Sequence, residues 1–336
     1  WIMFLILDHF LTDTVLFIII LATFVVGIVT SGLVEDHLKK KDASEIVIDE
    51  IVAFWLILFF LPGWDEILST AQASDYSYLF IQINPQTMLN FDFKLLALIW
   101  LKNVFLLFLF AGGIHWWLYI RKKQTLNYKY YAKWPTENNS KFLFKNQVKD
   151  NMFWSIVSGC TIWTIFEAYV LWKQATGGVT VYFWSEQPIY LFLCMILMPF
   201  IGGVHFYIIH RFLHIPIIYK IAHQLHHRNI NTGPWSGISM HPIEHILYFS
   251  MIALWAFIPA DPFIVVLTGI WFGVGPAQSH AGFNKLVLFK TKTLELADHF
   301  HHLHHKHFEL NYGNIYAPID PIFKTFHNGK TFPKKK

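Results

Sequence analysis

Histidines are the residues of this sequence whose type and spacing are suited to chemistry. Fifteen of the 19 histidines lie between His205 and Asn314, and most of them fall into short boxes. The boxes read HRFLH from His210, HQLHH from His223, HPIEH from His241 and HHLHH from His301, with a single His280 between the last two. Imidazole is a common ligand of zinc, copper, iron and nickel. The boxes therefore predict a metal site.

The spacing within the boxes gives this prediction its weight. Residues three and four positions apart share one face of a helix. The first box is an i, i+4 pair, and the boxes at His223 and His301 are both i, i+3, i+4 triplets, so we expect each box to point its imidazoles in one direction. One zinc ion needs about four ligands, and the boxes with His280 supply more than twice that number, which indicates two metal ions. The candidate ligands are His210, His214, His223, His226, His227, His280, His301, His304 and His305, before His241 and His245 are counted.

Two ordinary explanations of the histidines compete with this one. An isolated histidine is usually a core or surface residue, which is what we expect for His9, His37 and His115. A histidine-rich tract can also be a loose loop that sequesters metal. The sequence of such a loop is expected to be an irregular polar run, whereas these boxes recur at helical spacing with apolar residues between them.

The remainder of the sequence has the composition of an integral membrane protein. Of its 336 residues 54% are hydrophobic, 18% are aromatic and 14% are charged, against about 25% charged residues in an average soluble chain. The formal net charge of +4 is modest, so a nucleic-acid partner is not expected. The two cysteines lie in apolar segments, which indicates buried thiols rather than a disulfide framework.

Long apolar runs predict about four to six membrane spans. The piece 246–276 is broken by two prolines around residue 260, and its two halves of about 14 residues suggest a helical hairpin that does not cross fully. Lys102 and Glu167 lie inside spans, where charges are costly. They either pair with each other or line a substrate path, or each lies near a helix end and snorkels to the membrane surface. The predicted spans are Leu11–Val34, Ile51–Trp64 (weak or re-entrant), Phe93–Ile120, Met152–Trp172 and Gln187–Ile209.

The basic residues orient these spans by the positive-inside rule. They place the loop 121–150 and all the histidine boxes on one cytosolic face. The expected fold is an all-α polytopic membrane bundle with a cytosolic histidine-rich helical cap that holds a di-metal site. We expect an N-terminal transmembrane region with a cytosolic connector at 1–150 and a catalytic domain at 151–336.

The boxes resemble those of the fatty acid hydroxylase/sterol desaturase superfamily. The order HxxxH, HxxHH, HxxHH and the gaps between the boxes match, as do the flanks HFYIIHR, NTGPWSG, MHPIEH, NYG and DPIFKTFH, over about residues 151–329. Carried over by position, the resemblance implies eight iron ligands, with His280 and His241 or His245 as further family histidines. The eight are His210, His214, His223, His226, His227, His301, His304 and His305.

The resemblance implies a membrane oxygenase that uses two iron ions, dioxygen and external electrons to hydroxylate or desaturate a lipid, sterol-like or fatty-acyl. It implies the endoplasmic reticulum for a eukaryotic chain and the inner membrane for a bacterial one. A saturated carbon carries no charge or leaving group, so acid–base side chains alone cannot react with it. Its oxidation needs a metal or another cofactor, which agrees with the implied iron site. No haem, GxGxxG or CxxC motif is found, so a separate carrier, cytochrome b5-like or ferredoxin-like, with its reductase is expected.

Glu244, Asp298 and Asn311 are the candidates to orient the imidazoles. Phe272, with Trp235 and Phe283, is a candidate wall of a lipid tunnel, although aromatic residues in membrane helices are often packing or interface residues. The alternative from another class is a membrane metal transporter or a metal-binding protein without oxygenase activity. A transporter is expected to hold its ligands at mid-membrane on broken helices, whereas these boxes flank the spans.

Overall fold

The computed structural model describes residues 93–287, 293–296, 298–314 and 316–330, with Leu89 and two short strands before them. The chain forms two compact units, residues 1–73 with 77–80, and residues 74–76 with 81–336. Nearly all described residues belong to the second unit. The predicted spans Leu11–Val34 and Ile51–Trp64 lie outside the described residues.

Helices make up most of the described chain. They are α1 (Phe93–Ile120), α2 (Gln147–Ala175), α3 (Pro188–Leu213), α4 (216–227), α5 (Pro242–Phe249), α6 (Pro262–Ser279) and α7 (His299–His307). Short 3₁₀ turns lie at Leu143–Lys145, Pro234–Ser236 and Ile252–Ala256. The strands are β1 (Tyr76–Tyr78), β2 (Ile81–Ile83), β3 (Lys285–Val287) and β4 (Thr293–Glu295), and β3 pairs antiparallel with β4, Lys285 opposite Glu295.

Four of these helices, α1, α2, α3 and α6, are long and apolar enough to cross a membrane. The predicted all-α membrane bundle is therefore confirmed for the described residues, and α1 has the predicted bounds. The span predicted at Met152–Trp172 lies inside α2. Helix α3 continues past the predicted end at Ile209 to Leu213, so the first histidine box begins on the last turn of a membrane-length helix.

The two halves of the region 246–276, predicted to have about the same length, differ in length. The first part consists of α5 and the 3₁₀ turn at Ile252–Ala256, whereas α6 has 18 residues. The break falls between Pro259 and Pro262, as the two prolines predict. Asp261 then begins α6 by accepting a hydrogen bond from the Phe263 N–H at 2.8 Å. The internal Pro276 does not end the helix. Helix α6 therefore reaches as far as His280.

Helix α2 lies at the centre of the packing. The ring of Trp163 fits against α6 where a Cβ at Gly273 would lie 2.2 Å from it and a Cβ at Gly269 2.3 Å. One turn further along α2, Glu167 pairs with Lys102 of α1, and Asn103 donates to Thr164 Oγ1 at 3.1 Å. The two intramembrane charges thus pair with each other, which is one of the predicted possibilities.

The start of α2 packs against the loop that follows the second histidine box. Arg228 donates to the buried Asp150 at 3.0 Å, and Asn229 Oδ1 accepts from Gln147 Nε2 and Asn151 Nδ2, both at 3.0 Å. Helix α2 runs continuously across residue 150. The start of α2 therefore fixes the position of α4 and its histidines.

Candidate metal centre

Four elements bring nine of the histidines together. The last turn and the end of α3 supply His210 and His214, α4 supplies the second box, the residue after α6 is His280, and α7 supplies the last box. Asp298 begins α7 by accepting hydrogen bonds from the Phe300 and His301 N–H groups. Eight of these histidines are buried and His214 is half-buried.

The nine imidazoles form two groups, and in each group one ring nitrogen from every histidine lies within 4.8 Å of the others. The groups are adjacent, since the rings of His227 and His305 lie 4.9 Å apart, centroid to centroid. Each group therefore offers at least the four donors that a metal ion needs. The first group is His210, His214, His223, His227 and His304, and the second is His226, His280, His301 and His305.

The two triplets are divided between the groups, which corrects the expectation that each box points in one direction. In the second box, His223 and His227 join the first group and His226 the second; in the last box, His301 and His305 join the second group and His304 the first. The i, i+4 members stay together. The histidines at i+3 and i+4 are adjacent in sequence and therefore point about 100° apart around the helix. Each triplet thus supplies histidines to both groups.

Backbone carbonyls orient several rings. His210 Nδ1 lies 2.6 Å from the Tyr312 carbonyl oxygen. The corresponding distances are 2.7 Å from His304 Nδ1 to the Leu310 carbonyl and 3.0 Å from His280 Nδ1 to the Pro276 carbonyl. A carbonyl oxygen only accepts, so Nδ1 carries the proton in each ring. The Nε2 lone pair is then free to bind a metal ion.

The rings are held in their neutral form. Burial, reinforced by neighbouring imidazoles, lowers the pKa of His226 and of His280 to about 3. The same causes lower the pKa of His227, His304 and His305 well below the usual value. Metal binding requires neutral imidazole. The donor set, which also contains a buried His214 Nε2 without a partner, therefore fits metal ions.

Of the three residues predicted to orient the imidazoles, Glu244 is the one that forms a hydrogen bond with the imidazole ring of a grouped histidine. Its Oε1 lies 2.7 Å from His223 Nδ1. Burial raises the pKa of Glu244, and burial together with the neighbouring imidazoles lowers the pKa of His223. A cation on His223 Nε2 favours the arrangement in which Nδ1–H donates to the carboxylate.

The other two residues predicted to orient the imidazoles bond to backbone groups. Asp298 acts on backbone N–H groups as the cap of α7, and Asn311 bonds to the backbone of Phe300 and His327. His241 caps α5, and His245 bonds to Ser158 Oγ at 2.8 Å and to the Ile238 carbonyl at 2.9 Å. The structure does not bring His241 or His245 into either group, because the box HPIEH begins a helix that directs Glu244 towards His223 instead.

Asp320 is a positioning residue that sequence reasoning missed. Its carboxylate accepts from the Tyr312 and Gly313 N–H groups at 2.8 and 2.7 Å and from Thr325 Oγ1 at 2.6 Å. It thereby holds the NYG loop, whose Tyr312 carbonyl orients His210. Its place in the DPIFKTFH flank was the available signal.

A cavity of about 450 Å³ adjoins both groups. Its wall contains His210 and His223 of the first group and His226, His280 and His301 of the second, and Phe206, Tyr248 and Phe272 make it apolar. Phe272 thus lies where a tunnel wall was predicted. Trp235 packs instead against Phe108, and Phe283 against Tyr119.

A paired histidine site beside an apolar cavity at the end of membrane-length helices defines a class of membrane metalloprotein. Residues 191–325 match the fatty acid hydroxylase family model. This segment holds all nine grouped histidines. The predicted resemblance to the fatty acid hydroxylase/sterol desaturase superfamily is thereby confirmed for this segment.

Relatives with assigned names agree with the family match. A Delta(7)-sterol 5(6)-desaturase of Gibberella zeae is 30% identical over 146 residues, which cover 41% of this chain and 42% of the relative. A fatty acid hydroxylase of Mycosarcoma maydis is 36% identical over 42% of this chain and 33% of its own length. Human lathosterol oxidase is 27% identical over 45% of this chain and 52% of its own length. The chain thus spans about half or less of the length of these relatives.

The N-terminal part of the chain has a different similarity. Residues 1–111 match the phosphatidylglycerophosphatase A family model. No solved structure matches the chain.

Proposed function

We propose that this protein is a membrane-bound di-iron oxygenase that uses dioxygen and external electrons to hydroxylate or desaturate a C–H bond of a lipid. The observation that carries the proposal is that imidazoles of both groups form part of the wall of one apolar cavity. A lipid in this cavity would lie beside the metal ligands. The family match over the same residues supports the reaction class.

The histidine groups would hold iron, which supplies the redox chemistry that C–H bonds require and that side chains lack. The protein would contribute binding, orientation and exclusion of water. The carbonyls of Tyr312, Leu310 and Pro276 fix the tautomers of three rings, and the Glu244 carboxylate would accept a hydrogen bond from Nδ1–H of His223. Phe206, Tyr248 and Phe272 would position the apolar body of the lipid and keep water away from it.

The lipid we favour is sterol-like, which agrees with the names of two of the three relatives described above. Electrons would come from a separate carrier, cytochrome b5-like or ferredoxin-like, with its reductase. The site would face the cytosol, at the endoplasmic reticulum of a eukaryotic cell or the inner membrane of a bacterium. The domain carrying this function would be residues 151–336, with 1–150 as a transmembrane region and connector.

Untargeted lipid analysis of a host that expresses the chain tests this function. We compare the wild type with His304→Ala and with the matched control His307→Ala, since His307 lies on the same helix outside both groups. We expect a lipid with one added oxygen or two fewer hydrogens in the wild type and the control, and its loss in His304→Ala. The same lipids in all three strains, in a host with sterols and an electron donor, would contradict the proposal.

We propose a second function for the N-terminal part, hydrolysis of a lipid phosphate monoester, supported by the phosphatidylglycerophosphatase A match. Six acidic residues lie between two apolar runs of this part, outside the described residues: Glu35, Asp36, Asp42, Glu45, Asp49 and Glu50. Carboxylates hold the divalent metal ions that assist phosphate hydrolysis. Phosphate release from phosphatidylglycerophosphate should be lost in Asp49→Asn and retained in His304→Ala; no release by the wild type would refute it.

A further inference from the structure

Four glycines line the cavity, and three of them are explained by close packing. A Cβ at Gly202 would lie 2.9 Å from the Phe272 ring, one at Gly203 would lie 2.8 Å from Ala317 Cβ, and one at Gly237 would lie 2.5 Å from the Pro276 carbonyl. Real Cβ atoms do not approach other atoms so closely. At these three positions a neighbouring element fills the space of a side chain.

Gly275 differs from the other three. A Cβ there would have no atom of another part of the protein within 4 Å. Gly275 is exposed and lies one turn after Trp271 and Phe272 and one turn before Gln278 and Ser279, all of which line the cavity. It therefore lies in the middle of the α6 face that borders the cavity. The missing side chain leaves space in the cavity rather than room for another helix.

We propose that Gly275 is the specificity-determining position of the cavity, where the missing side chain admits a rigid, ring-bearing lipid. This inference rests on the proposed function in one respect, that the cavity is the lipid site. A single acyl chain is flexible and bends around a side chain, whereas a fused ring system does not. A side chain at this position therefore excludes ring-bearing lipids more than linear ones.

The residue also precedes Pro276 inside a helix, where a Cβ on the preceding residue is unfavourable. This backbone effect is the competing explanation of the glycine. Alanine carries the same Cβ and the same effect but adds little bulk. The series Gly275→Ala, Gly275→Val and Gly275→Leu therefore separates bulk from backbone strain.

Photoaffinity labelling in membranes tests the proposal without requiring turnover. The probes are a diazirine cholesterol analogue and a diazirine palmitoyl lipid, and mass spectrometry locates the label on peptides that line the cavity. We expect sterol labelling to fall at least about tenfold in Gly275→Leu, as expected from overpacking by one side chain. It should stay near wild type in Gly275→Ala, and palmitoyl labelling should change little in either variant. The unfolding temperature in detergent shows which variants are folded.

Equal loss of both probes, equal loss in the alanine and leucine variants, or wild-type sterol labelling in Gly275→Leu would overturn the proposal. So would a wild-type cavity that neither probe labels. If Gly275→Leu does not fold, Gly275→Val takes its place and must show the same preference for the linear probe. Cavity labelling as expected, without conversion of any lipid, would leave the inference standing and would refute the oxygenase function instead.

Discussion

At the scale of single residues, the metal centre depends on backbone groups as much as on side chains. The spacing of the boxes identified eight of the nine histidines that the structure brings together, and the ninth is the isolated His280. The carbonyls that fix their tautomers could not be predicted, because any residue has a carbonyl and only the path of the chain decides where it points. The same limit applies to Asp298 and Asn311, whose side chains bond to nearby backbone rather than to imidazoles.

Asp320→Asn tests this dependence on the backbone. The amide replaces one of the two oxygens that accept from the NYG loop, so a buried N–H loses its partner, which costs about 1–3 kcal/mol. We expect a lower unfolding temperature and less iron retained after dialysis against a chelator. The matched control is Glu309→Gln, since Glu309 contacts the Tyr312 hydroxyl at 2.7 Å rather than the loop backbone. Equal iron retention in both variants would argue against the role of Asp320.

At the scale of elements, periodicity and length predicted the helices, and capping decided their ends. The apolar runs located α1, α2 and α3 to within a few residues. The unequal halves of the 246–276 region were missed, because hydropathy alone does not show that Asp261 begins a helix or that Pro276 lies within one. The division of each triplet between the two histidine groups was also missed. It depends on where the other helices place their histidines around the triplet, which spacing within one helix does not show.

The Lys102–Glu167 pair gives a prediction at this scale. Both side chains are nearly or fully buried between α1 and α2. Removing one partner leaves a buried charge, which costs about 3–5 kcal/mol, whereas removing both often costs much less. Lys102→Met should destabilise the protein in detergent, and Lys102→Met/Glu167→Met should recover most of the loss. Additive effects in denaturant unfolding would show that the two charges do not interact.

At the scale of the whole molecule, the connector and the second histidine box must lie on one side of the membrane. Asn231 Nδ2 donates to the Lys133 carbonyl at 3.0 Å, which joins the 121–150 and 220–240 segments directly. If α2 crosses the bilayer, the loop between α2 and α3 lies on the other side. The positive-inside rule predicted the same arrangement from charge alone.

Cysteine accessibility tests this arrangement. Single cysteines at the exposed positions Lys133, Ile230 and Thr180 are introduced into a chain in which Cys194 is serine; the native Cys160 is fully buried. An impermeant thiol reagent on sealed, cytosol-side-out vesicles should label the first two positions and not the third. Labelling of Lys133→Cys and Ile230→Cys from opposite sides would overturn the topology.

The iron content of the purified protein tests the central claim, a di-iron centre built from two histidine groups, most directly. We expect about two irons per chain after iron-replete expression, one for each group of at least four donors. His214→Ala removes a ligand of the first group and His280→Ala one of the second, so both should hold less iron, while His307→Ala should match the wild type. Zinc in place of iron, or iron that survives both ligand substitutions, would contradict the account.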